Sequence, residues 1–142
     1  MRTPLILAAL AASSLVPASA QDLTAFDLDR MVLNAHPAVE GVSAAFLAGA
    51  FDAEGLYAAN SVLEEGALFP PHAHPDDRLS IVLEGTMYLG TGEEADPEAE
   101  TAYPAGTAVL TPAGTFHWMA ARDGDIRILE IGSGPSGSVS PE

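Results

Sequence analysis

GALFPPHAHPDDRLSIVLEG, residues 66–85, is the stretch whose reading decides the fold. His72 and His74 stand two apart, and on a strand that spacing points both imidazoles to one face. The pair Pro70-Pro71 precedes them, and residues 79–89 follow as the longest strand candidate, broken at Glu84-Gly85 as a hairpin turn breaks a strand. The same texture extends outward. Residues 42–51 form an apolar run between Gly41 and Asp52, and residues 55–63 another that stops at the turn Glu64-Glu65-Gly66. Residues 68–74, 108–111, 116–120 and 126–131 complete the set, the last alternating only in part. Many short apolar runs separated by Gly, Pro and Asp predict an all-β sandwich or barrel. Residues 21–37 are mixed, with Leu23, Phe26, Leu28, Met31, Val32 and Leu33 suited to a short N-terminal helix or a strap over the barrel. The acidic run 92–100 reads as a solvated loop, and residues 132–142, rich in Gly, Ser and Pro, as a strap that frays at its end.

The N-terminus has a different character. Met1 and Arg2 lead into residues 3–20, which carry no charge and close on Ala18-Ser19-Ala20, the small-x-small pattern of a signal-peptidase site. The expectation is a signal peptide over residues 1–20 and one domain over residues 21–142, located in the periplasm or secreted. Pro4, Pro17 and Ser13-Ser14 leave the apolar run short for a membrane anchor, and no Cys follows Ala20 for a lipid. Arg2 stands alone, so a twin-arginine signal is not expected.

Composition excludes several chemistries. The 142 residues hold 20 Asp and Glu against five Arg and no Lys, a formal net charge of −15. Removing residues 1–20 takes away Arg2 alone, leaving four Arg against 20 acidic residues and a charge of −16. Without Lys there is no Schiff-base mechanism. Without a basic face, neither nucleic acid nor an anionic membrane surface is an expected partner. Without Cys there is no disulfide, thiolate metal site or thiol nucleophile.

Histidine carries what chemistry remains. His117 lies beyond the turn Pro112-Ala113-Gly114 on another short strand. A barrel that brings this strand beside the His72-Ala73-His74 strand makes three imidazoles converge, a natural set for zinc, copper, nickel or ferrous iron. The bland alternative for two neighbouring strand histidines is a satisfied core pair. His36, followed by Pro37, has no partner in the sequence and reads as a surface or strap residue. Alternation puts one of Trp118 and Met119 toward the interior. Tyr57, Phe69, Met87 and Tyr88 are further candidates to line a cavity or fill it.

At these positions the chain resembles the cupin superfamily. Its first motif is Gly, five residues, His-x-His, three or four residues, Glu, six residues, Gly; the counterpart is Gly66, ALFPP, His72-Ala73-His74, PDD, Arg78, LSIVLE, Gly85. The second is Gly, five residues, Pro-x-Gly, two residues, His, three residues, Asn; the counterpart is Gly106, TAVLT, Pro112-Ala113-Gly114, TF, His117, WMA, Ala121. The flanks are similar to a branch of small bacterial cupins in Pro70 to Pro75, Val82 to Thr86 and Gly132 to Pro135. The resemblance implies a single jelly-roll β-barrel holding one divalent metal on His72, His74 and His117. Two positions depart from the pattern: Arg78 stands where the family has a metal-binding Glu, and Ala121 where it has Asn. A guanidinium cannot ligate a metal and stays charged. Either the three histidines act alone, or Asp76 or Asp77 supplies an oxygen, or the barrel has lost its metal.

Export in an unfolded state implies metal capture outside the cytoplasm, where the Irving–Williams order favours zinc or copper over manganese and ferrous iron; zinc is the expectation. Arg78 beside a metal suits a small anion, a carboxylate above all, with Tyr57, Phe69, Trp118 and Met119 as candidate lining residues. Three classes of function follow: a metal-binding cupin for a small anion; a cupin enzyme such as a dioxygenase, decarboxylase or lyase; and a non-catalytic ligand-binding or sensor barrel. Cupins commonly exchange edge strands, so a homodimer is a further expectation.

Overall fold

The computed structural model describes residues 22–142. The expected signal segment, residues 1–20, lies outside the described residues. Among the described residues ten strands follow one another: β1 (Asn34–Ala35), β2 (Val42–Ala48), β3 (Gly55–Leu63), β4 (Leu68–His72), β5 (Arg78–Glu84), β6 (Thr86–Thr91), β7 (Thr101–Pro104), β8 (Ala108–Thr111), β9 (His117–Ala120) and β10 (Ile126–Gly134). They form two antiparallel sheets, ordered β1-β2-β3-β10-β5-β8 and β4-β9-β6-β7, the two layers of a jelly-roll barrel. The all-β expectation holds. Among the described residues no α-helix occurs, and the one helical element is a 3-10 turn at Pro97–Ala99.

Alternation sorts the side chains. On β5, Arg78, Ser80 and Val82 are buried while Leu79 and Ile81 are partly exposed. On β10, Ile126, Ile128 and Glu130 are buried and the residues between them are not. The alternation of residues 126–131 is therefore complete; Glu130 hides it in the sequence because a charged residue occupies an inward position. Val42, Leu63, Val82, Met87, Leu89, Met119, Ile126 and Ile128 make the apolar core. Burial of such side chains contributes about 1.5–3 kcal/mol each. The polar inward residues Ser61, Arg78 and Glu130 gather with His72 and His74 around one cavity, whose wall they share with the core residues Val42, Leu63, Met119 and Ile128.

Several segments differ from expectation. The N-terminal segment is a strap, not a helix: a turn at residues 28–30 leads to β1, which pairs with β2. Asn60, at an outward position on β3, is fully buried, with Leu28 and Met31 of the strap in reach of its amide nitrogen. Strand β4 ends at His72, and Ala73 makes a single bridge to Val139 instead of continuing the ladder. Strand β7 was not visible in the sequence because its four residues, TAYP, follow directly on the acidic run. Glu100 in that run is not solvated: its carboxylate accepts from Trp118 Nε1 at 2.9 Å and pairs with Arg122 at 2.5 Å.

Candidate metal centre

His72 closes β4 and His117 opens β9, and the two residues are direct partners in the sheet register. His74, just past the end of β4, swings back toward them. The ring centroids are 4.4 Å apart for His72 and His117, 4.6 Å for His72 and His74, and 5.4 Å for His74 and His117. All three rings are buried, and one ligand atom from each lies within 4.8 Å of the others.

The backbone fixes which nitrogen faces inward. His72 Nδ1 lies 2.8 Å from the Pro70 carbonyl, His74 Nδ1 2.6 Å from that of Gly137, and His117 Nδ1 2.9 Å from that of Thr115. A carbonyl oxygen only accepts, so each Nδ1 carries the proton and each Nε2 keeps its lone pair. Burial, with like-charged neighbours adding to it, pushes His72 down to about 3 and His74 to about 4, and lowers His117 as well. All three are neutral imidazoles at pH 7. Three neutral, orientation-locked nitrogen donors are what a divalent transition metal requires, and the residues fit such an ion.

Arg78 points into the barrel and is 5% exposed. Its Nε donates to Tyr57 Oη at 2.9 Å, its Nη1 to His74 Nε2 at 2.8 Å and its Nη2 to Ser136 Oγ at 3.2 Å. The Phe51 and Tyr57 rings, edge to face with centroids 4.9 Å apart, both lie to one side of it, at 5.1 and 5.4 Å from Cζ. Charge balance comes from Glu130 at 3.8 Å and Asp76 at 3.9 Å. Tyr57 Oη lies 2.5 Å from Asp76 Oδ2, and Ser136 donates to the other oxygen of the same carboxylate. Burial tends to raise the Asp76 carboxyl, but the bonds from Ser136 and Tyr57 and the Arg78 charge outweigh it and hold the group below its usual range. Burial and the bond to Asp76 push Tyr57 up to about 12.

The two aspartates put forward as a fourth ligand are engaged elsewhere. Asp76 belongs to the Tyr57–Ser136 network, and Asp77 accepts from the Ala113 backbone N–H at 2.8 Å, holding the turn before His117. Neither joins the histidine cluster.

A cavity of about 80 Å³ opens beside His72 and His74, room for a few waters. His72, His74, Arg78, Glu130 and Ser61 give it a polar side; Phe51, Phe69, Leu63, Met119 and Ile128 give it an apolar one. A more open groove of about 550 Å³ runs along residues 38–41 and 64–68, with no histidine or cation in its lining.

Of the expected lining residues, Arg78, Phe69 and Met119 face the cavity. Trp118 does not: it is on the opposite face of β9, its indole against Gly90 and bonded to Glu100. Tyr57 stands behind Arg78 and reaches the cavity only through it, Met87 is core, and Tyr88 points out to Asp123. His36 does more than cover the surface; it lines the cavity with its ring 5.0 Å from Phe69. Sequence reasoning missed Ser61, Phe51 and Ser138, and no motif placed Glu130 in the site. Counting by twos back from Leu63 and forward from Ile128 finds Ser61 and Glu130; nothing local marks Phe51 or Ser138, which arrive on a loop and on the C-terminal strap.

A cupin domain family model matches residues 60–132. Among solved structures, the chain is similar to KdgF from Halomonas sp., with 21% identity over 78% of this chain and 94% of that one and a TM-score of 0.62. The polyketide cyclase RemF from Streptomyces resistomycificus gives 18% identity over 85% and 88% of the two chains, with a TM-score of 0.66. The DMSP lyase DddQ from Ruegeria pomeroyi gives 19% identity and a TM-score of 0.60; 71% of this chain is covered, spanning about half (52%) of the lyase. These likenesses are ones of fold. A search of curated proteins gives no match.

Proposed function

The chain belongs to the cupin family, and from that premise we propose that it is an exported cupin that holds one zinc ion on His72, His74 and His117 and binds a small carboxylate beside it. The observation that carries this reading is the lock on the three imidazoles: each Nδ1 is committed to a backbone carbonyl, so all three Nε2 atoms turn their lone pairs to the interior. Two neutral core histidines packed for shape alone need no such common orientation. The carboxylate part rests on the inward Arg78, the one cation among the described residues that line the cavity, and on the small size of the cavity. When bound, zinc would supply a Lewis acid and open coordination positions.

Turnover of the ligand, rather than binding alone, is favoured by Glu130. Among the described residues it is the only carboxylate lining the cavity, it accepts from Ser61 Oγ at 3.1 Å, and it shares the lining with His72 and His74 without joining the histidine cluster. A carboxylate so placed keeps lone pairs beyond those that Ser61 and Arg78 can engage, and through one of them it can take a proton from a ligand held beside the metal. That chemistry suits a lyase or isomerase class more than a sensor.

Elemental analysis of the protein purified from its exported form, followed by calorimetric titration of zinc into chelated protein, tests the reading. One zinc per chain and tighter acetate binding in its presence are expected. A chain that neither carries nor binds a divalent metal would leave a metal-free barrel, and the reading would be wrong.

A further inference from the structure

Arg78 Nη1 occupies an unusual position. It donates to His74 Nε2 at 2.8 Å, and the same nitrogen atom is 3.8 Å from Glu130 Oε1. His74 Nδ1 is committed to Gly137, so Nε2 is the only donor lone pair that His74 can offer a metal. An imidazole nitrogen has one lone pair, and a hydrogen bond and a metal bond cannot share it. We propose that Arg78 is a displaceable internal occupant of the metal site, and that metal uptake hands its Nη1 from His74 to Glu130. The inference rests on the metal-binding reading above and adds a residue that sets its affinity.

The surroundings make the exchange a short one. Nη1 needs about 1 Å to come within hydrogen-bond distance of Glu130. The far side of the guanidinium is held throughout, by Tyr57 Oη on Nε, by Ser136 Oγ on Nη2 and by the Phe51 and Tyr57 rings packed to one side of it. Glu130 Oε2 already accepts from Ser61, which leaves Oε1 for the incoming N–H. Before the exchange, Arg78 satisfies a buried lone pair. After it, Arg78 and Glu130 form a direct pair, and the added charge of the metal lies against a carboxylate-balanced cation rather than a bare one. The departure from the cupin motif thus becomes functional: where the family places a carboxylate that adds to the site, this chain places a competitor for it. Arg78 makes metal binding weaker than three histidines alone would give, and it keeps His74 neutral and oriented while the site is empty of metal.

The test is calorimetric titration of zinc into the chelated full-length mature protein and two variants. Arg78→Leu removes the competitor. Arg78→Leu with Glu130→Gln removes both charges and keeps the cavity neutral, which guards against a single variant that fails to fold through an unpaired Glu130. Both are expected to bind zinc more tightly than wild type, by about tenfold or more. In wild-type protein, the Arg78 guanidinium N–H resonances should shift on zinc addition at the same stoichiometry. Unchanged or weaker zinc binding in both variants overturns the proposal while leaving the metal site standing. A gain in the single variant that vanishes in the double one also overturns it, because the gain would then come from Glu130 alone. If the single variant does not fold, the double variant and the wild-type resonances decide. No zinc binding by any of the three proteins would refute the underlying metal reading instead.

Discussion

The carbonyl oxygen of Gly137 lies 2.6 Å from Nδ1 of His74, a bond that ties the C-terminal strap to the candidate metal centre. The strap is further fixed by the bridge between Ala73 and Val139. The expected cost of deleting residues 137–142, which leaves Ser136 and its bond to Arg78 in place, is about 10–100-fold in zinc affinity, the usual effect of losing a partner that orients a ligand. Competition with a chelator measures it. Full affinity in the truncated chain would show that His74 needs no outside support.

Zinc should stabilise the folded chain by mass action. At about 100 times its Kd the gain is about 2.7 kcal/mol, visible as a rise in Tm. His117→Ala removes one donor of the three, and its zinc-dependent rise in Tm should disappear. An undiminished rise in that variant would place the ion elsewhere.

Acid should destabilise the metal-free protein over a defined window. Burial holds the folded His72 at about 3 and His74 at about 4, against about 6.5 in an unfolded chain. Between those limits the unfolded state binds more protons, so stability is full above pH ~6.5 and falls as pH drops toward 4. His117 shifts in the same direction and adds to the effect. Urea midpoints at pH 7, 5.5 and 4.5 should decline in that order, and a flat series would contradict the buried, neutral state of the histidines.

Gly90 on β6 faces Trp118 on β9 in register, and a Cβ at that position would collide with the indole ring. Gly90→Ala should cost about 1–3 kcal/mol by overpacking. Zinc stoichiometry should survive, because the indole is on the face of β9 away from His117. Denaturant midpoints and metal content, measured together, check both halves.

The exported form should begin at Gln21. Intact mass of protein recovered from outside the cytoplasm reads this directly; residues 1–20 still attached to the mature material would be the contrary result.

How much of this was legible in the sequence depended on distance along the chain. Strand identity is a local matter: period-two alternation and the turn residues Gly85, Gly106 and Gly114 are short-range signals, and β2, β3, β4, β5, β6, β8, β9 and β10 were visible from such signals. The three histidines were legible because their spacing matches a family pattern that already encodes the pairing of β4 with β9. By itself, the sequence determined the all-β class, the exclusion of Lys and Cys chemistry, and the identity of the metal-ligand candidates. The orientation of Arg78 was settled only by the tertiary structure. Nothing local to residues 75–78 decides the direction of that side chain, and the inward one is held by Tyr57, Ser136, Glu130 and Asp76, from two other strands, the C-terminal strap and the turn before β5. Likewise, Glu130 enters the site because β10 pairs with β5 so that Glu130 lies opposite Ser80 and beside Arg78, a relation between residues far apart in the chain. Local sequence fixes which face of a strand a side chain takes; which other side chains share that face is decided only when the strands close into a barrel.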